Sequence, residues 1–153
     1  MVAFNPQTHV KVCSSIAPGS KTATTAGRGV DVIGYTHALV ILDTATVGDT
    51  VTVTVQSSSS VETNYTGITG AAFTAVTSTN DDKVYAGVVY LPPQARYIRA
   101  NAAFAGSTAS SFSVTIVLFN PEDSDQSTVQ AAYASGSTST AADANVLSYA
   151  FSV

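Results

Sequence analysis

Residues 50–56 read Thr-Val-Thr-Val-Thr-Val-Gln, apolar and polar side chains in strict turn, entered through Gly48-Asp49 and left through four serines. Successive side chains of an extended strand point to opposite faces, so a period of two builds a strand with one dry face and one wet face. The pattern returns in residues 111–119, where Phe112, Val114, Ile116 and Leu118 oppose Ser113, Thr115, Val117 and Phe119. It returns again around Tyr97–Phe104, with Ile98, Ala100, Ala102 and Phe104 against Tyr97, Arg99, Asn101 and Ala103. A half-apolar strand needs a second layer to cover it, so the chain must pack sheet on sheet.

Composition agrees with the pattern. Ser, Thr, Ala and Val number 19, 21, 23 and 20 of 153 residues, while there are five Leu, two Glu and one Met. Short β-branched and hydroxyl side chains suit a pleated surface, and the strong helix formers other than Ala are scarce. Residues 35–43, YTHALVILD, are apolar on both faces, which predicts a central strand covered on both sides. The turn Thr46-Val47-Gly48-Asp49 then predicts a hairpin joining that strand to 50–56. A weak strand starts near Tyr65 and Ile68, another covers 72–76, and residues 78–82 form a turn. Residues 83–91 make a strand that Pro92-Pro93 stops. About seven strands without helical period describe an all-β fold, a two-sheet antiparallel β-sandwich of jelly-roll or immunoglobulin-like topology.

The two ends differ from the middle. Residues 1–29 are polar and turn-rich and read as an extended N-terminal arm, within which Val10, Val12 and Ile16 could make one short edge strand. Residues 30–120 form the sandwich. Residues 121–153 divide into a polar, low-complexity linker and an apolar C-terminal strand. In that strand Leu147, Tyr149, Phe151 and Val153 alternate with Ser148, Ala150 and Ser152. Such a stripe pairs with its own sheet, pairs with the edge of a neighbouring subunit, or stays disordered. Phe4, Leu147, Tyr149 and Phe151 are the candidate intersubunit contacts.

Reactive chemistry has little to work with. Two histidines and one cysteine do not make a spaced metal-ligand set, so no metal or other cofactor is expected. His9 and Cys13 lie in the polar arm, and His37 reads as an interior or interface histidine with one satisfied nitrogen. Asp81-Asp82 reads as turn chemistry, and Glu122, Asp123 and Asp125 as a solvated acidic segment outside the calcium-loop pattern. Arg99 is expected over a tyrosine or in an ion pair with Asp31 or Asp43. No nucleophile elbow or phosphate-cradling loop is present, and enzyme activity is not expected. The net charge of −4 comes from the four acidic residues after Arg99, so no basic patch exists to hold nucleic acid. No apolar run is long enough to span a membrane, and the first residues lack the pattern of a signal peptide. Charged residues are only 10% of the chain. A soluble domain usually carries about a quarter, which suggests surface covered by neighbours.

Three stretches carry a resemblance: FNPQTHVKV (4–12), GRGVDVIGYTHALVILDTATVGDTVTVTVQSS (27–58) and QARYIRANAAFAGSTASSFSVTIVL (94–118). Val30-Asp31, Gly34-Tyr35 and Arg96-Tyr97-Ile98-Arg99 are their fixed points. Together they resemble the capsid decoration, or cement, proteins that tailed bacteriophages encode near their capsid genes. The resemblance covers residues 4–119 and implies a β-sandwich that binds the major capsid protein on the outer surface of the virion. It further implies a homo-oligomer, a trimer first and a dimer as the alternative, present in the host cytoplasm during assembly, with no catalytic residues to carry over. A carbohydrate- or receptor-binding sandwich and a head–tail or tail component are the alternative readings.

Overall fold

The computed structural model describes residues 10–60, 63–119 and 146–148. The strands are β1 (Val10–Lys21), β2 (Thr25–Ala26), β3 (Val30–Asp31), β4 (His37–Val47), β5 (Val51–Ser58), β6 (Thr66–Ala72), β7 (Val84–Tyr90), β8 (Tyr97–Phe104), β9 (Ser110–Phe119) and β10 (Val146–Ser148). One sheet runs β1-β9-β4-β7-β10 and the other β2-β8-β5-β6, with β3 also on β8. Every pairing is antiparallel except that of β10 with β7. The sheets pack face to face as a sandwich.

The alternating strands behave as their period requires. Val51, Val53 and Val55 of β5 and Ile98, Ala100 and Ala102 of β8 are buried, as are Phe112, Val114, Ile116 and Leu118 of β9. They meet Ala38, Val40 and Leu42 of β4 and Tyr85 and Val89 of β7 across the interface in one core. Each fully buried valine of this kind is worth about 1.5 kcal/mol or more of transfer free energy.

The connections decide the topology. Taking β2 and β3 as one interrupted strand, the chain changes sheet at every connection from β1 to β9 except β5–β6. That order is a jelly roll. An immunoglobulin-like fold would place its first two strands in one sheet, and here they lie in different sheets.

The hairpin expected between β4 and β5 does not form. Both edges of β4 are occupied, by β7 and β9, and β5 lies in the opposite sheet between β8 and β6. The turn is an arch from sheet to sheet, which lets Val47 and Val51, on either side of it, both enter the core. The β8–β9 connection is a second arch beside the first. Gly48 N donates to Ala109 O (3.2 Å) and Ser110 Oγ (3.1 Å), and Asp49 accepts from Thr108 N.

Residues 10–29 do not stand off as an arm. β1 pairs with β9 from Val10↔Phe119 to Lys21↔Ser110, and Ile16 is 2% exposed in the core. Register shifts between Ser14 and Ile16 and between Ile16 and Gly19 break the period of two, which hid most of this strand from a pattern reading. Lys21 Nζ donates to the carbonyls of Ala17, Gly19 and Phe112 and so ties the second irregularity to β9.

The first irregularity turns Ser15 inward, where it pins the two sheets together. Ser15 Oγ accepts from Ala100 N of β8 (3.0 Å) and donates to Arg28 O, while Ser15 O accepts from Arg28 N (2.8 Å). Gly27 fits in this pin because it has no side chain. A Cβ there would lie 2.3 Å from Ser15 Oγ and 2.9 Å from the carbonyls of Ser15 and Ala100. Two of those three atoms are backbone and cannot swing away. Gly27→Ala is therefore expected to lower stability by about 2 kcal/mol or more, seen as a lower urea midpoint. Ser15→Ala should cost about 1–3 kcal/mol by leaving Ala100 N–H unsatisfied.

Candidate interaction face

The outward faces of the two sheets differ in chemistry. On the β2-β8-β5-β6 sheet the outward side chains include Thr52, Thr54 and Gln56 of β5 and Tyr97, Arg99 and Asn101 of β8. Arg99 Nε donates to Gln56 Oε1 (2.9 Å), and its guanidinium lies 4.0 Å from the Tyr65 ring centroid. Arg99 is thus over a tyrosine, though one from before β6 and not Tyr97 on its own strand. The ion pair to Asp31 belongs to Arg96, at 2.8 Å. The Asp31 carboxyl lies below its usual pKa, first through the Ile33 N–H it accepts and then through Arg96.

The outward face of β1, β9, β4 and β7 is apolar at one end. Its register sets Val12, Val117, Leu39 and Val88 side by side across four strands. The adjacent row is Val10, Phe119, His37 and Tyr90, while on the other side Ile41 and Ala86 share a row with the hydroxyls of Ser14 and Thr115. Val12 is 65% exposed and Tyr90 36%. Just past the Tyr90 end, Ile33 is 64% exposed on the rim of a cavity of about 300 Å³ lined by Tyr35, Tyr90, Pro92 and Pro93 among others. Charge enters these rows at Asp43, below Ile41. Within the two rows Val12 and Tyr90 are exposed, Val10, Leu39, Val117 and Phe119 are half-buried, and Val88 and His37 are buried, so the part a partner's apolar surface would cover is the stretch around Val12 and Tyr90.

His37 sits inside this patch as a fully buried side chain. Phe119 stacks on it at 5.7 Å and Tyr90 meets it edge-on at 5.4 Å. Its Nδ1 is 2.8 Å from Thr36 Oγ1, and its Nε2 has no partner among the described residues. This is the histidine with one satisfied nitrogen expected from the sequence. Burial holds its pKa below the usual imidazole range.

Of the four candidate contact residues, Leu147 lies in β10, in register with Tyr85 of β7. Phe4, Tyr149 and Phe151 lie outside the described residues, as do His9 and the acidic residues 122–125. The sequence reading missed the apolar rows as a surface. Their signal was the second apolar face of YTHALVILD, Leu39 and Ile41, which reads as buried when a strand is assumed to be covered on both sides. Among the described residues no three His, Cys, Asp or Glu side chains gather as a metal site. No protein-family model matches the chain, and no curated protein is significantly similar to it.

The His37 arrangement makes stability depend on pH with a definite sign. The unfolded chain takes up the imidazole proton at about pH 6.5, while the folded chain resists it, so stability falls as pH drops below about 6.5. Thermal unfolding of His37→Gln between pH 7.5 and 5 is expected to show a smaller loss than the parent chain.

Proposed function

We propose that this chain is a structural virion protein that decorates a tailed-phage capsid, its apolar sheet face seated on the major capsid protein. The observation that carries the reading is the contrast between the two outward faces, one with two apolar rows across four strands and one lined by hydroxyl, amide and guanidinium groups. A protein that coats a surface needs one side that excludes water against its support and one that stays wetted. The sparse charge and the resemblance of residues 4–119 to phage decoration proteins support the same role. Jelly rolls serve in viral capsids, and they also serve in lectins, so the fold alone does not choose. Many weak contacts repeated over a lattice give high occupancy, so no single docking event has to be strong.

The cavity bordered by Tyr35, Tyr90, Pro92 and Pro93 favours a second reading, a carbohydrate- or receptor-binding module. Glycan-array binding that is lost in Tyr90→Ala would replace the first reading with this one.

The decoration role is tested by adding purified chain to phage shells that lack it. Val12→Asp places a charge on a side chain already in water, so folding should persist while shell occupancy falls at least about tenfold. Thr54→Asp, on the opposite face, should bind as the parent does. Equal occupancy by both variants would exclude the apolar sheet face as the contact.

A further inference from the structure

Among the described residues three large apolar side chains stand exposed, Val12, Ile33 and Tyr90, and two of them, Ile33 and Tyr90, border one cavity. Ile33 is a knob held by a well-tied turn between β3 and β4. Its N–H donates to Asp31 Oδ1 (3.0 Å), and Asp31 Oδ2 accepts from Arg96 Nη2 (2.8 Å). Val32, buried in the core, donates its N–H to Arg96 O (3.0 Å), and Tyr35 N donates to Val32 O (3.0 Å). Gly34 closes the turn at φ 81°, a left-handed conformation that costs glycine nothing. Beside the knob lies a hole with equally fixed walls. Tyr35, Tyr90, Leu91, Pro92 and Pro93 line the cavity of about 300 Å³. Leu91 N donates to Thr36 O (2.9 Å) and Ala95 N to Pro92 O (2.8 Å), while the prolines have no φ freedom. Apolar cavities of about 150 Å³ admit a benzene ring, so this one has room for a branched side chain.

We propose that a second copy of this chain fills the cavity, two copies meeting about a two-fold axis with Ile33 of each seated in the cavity of the other. A knob and a hole side by side on one surface are complementary to themselves, because a two-fold rotation brings each to the other at once. A three-fold ring needs them on separate faces, so this arrangement gives a dimer. Asp31 and Arg96, which hold the turn, form an ion pair and bring no net charge of their own into the contact. Knob and hole are both fixed before they meet, so little freedom is lost on pairing. Two side chains and two small cavities bury less than the roughly 1,200 Å² of a standard interface. The dimer is therefore weak in dilute solution and fills near millimolar concentration, which copies crowded on one support reach. The pairing does not depend on the docking role, and it occupies the cavity that a glycan would need.

The test needs no shell. Sedimentation velocity of the full-length chain, kept reduced so that Cys13 plays no part, is expected to show monomer passing to dimer between about 20 µM and about 1 mM. Ile33→Asp changes a side chain already in water, so folding should persist while self-association weakens at least about tenfold. Val12→Asp, outside the cavity, should pair as the parent does, which separates this contact from the docking face. In a mixture of isotopically labelled and unlabelled chain, filtered NOE spectra should place the Ile33 methyl groups against the ring of Tyr35 or Tyr90 of the partner subunit. A chain still monomeric at the highest concentration, an Ile33→Asp variant that pairs as well as the parent, or a dimer without those NOEs would overturn the proposal.

Discussion

Everything in this molecule depends on two apolar stripes that can be dried only by each other. β5, β8 and β9 each bring a period of two, and none can bury its valines and isoleucines by pairing in a single layer. The arches after β4 and β8 resolve this by sending consecutive strands to opposite sheets, so stretches adjacent in sequence become facing layers. The jelly-roll order follows from repeating that step. Ser15 and Asp49 then fix the layers at two places, one where an irregular edge strand turns a hydroxyl inward and one where the two arches share hydrogen bonds.

Much of this was legible in the sequence because a period of two survives translation into structure unchanged. The buried positions of β5, β8 and β9 are those that alternation selects, and the turn at 78–82 and the stop at Pro92-Pro93 fall where their side-chain chemistry places them. Topology was less legible. Gly48-Asp49 could turn the chain back into one sheet or over into the other, and which it does depends on β7 and β9 taking both edges of β4. Those competitors lie 40 to 80 residues away, beyond any local pattern. β1 was obscured for a different reason, since two irregularities in twelve residues erase the alternation that would mark a strand.

The candidate face was half visible. The second apolar side of residues 35–43 was plain, and its reading as covered holds for His37, which is buried, and in part for Leu39 and Ile41, which are half-buried. Only the register, which brings Val12 and Val117 to one flank of Leu39 and Val88 to the other, shows how far that apolar side extends. His37 was read correctly in kind, and its two aromatic neighbours come from strands whose order the sequence did not reveal. The arginines show the same limit. Stacking on tyrosine and pairing with Asp31 were both foreseen, and the structure divides them between Arg99 and Arg96.

The pairing of Val10 with Phe119 also governs how the molecule comes into being. During synthesis the first strand to emerge has no partner until more than a hundred further residues have followed it. Such distant closures make jelly rolls slow to fold and leave an extended segment waiting in the open. Lys11, Pro18, Lys21 and two breaks in register make that segment a poor template for the same segment of another nascent chain. The irregularities that disguise the first strand therefore protect it until the ninth arrives.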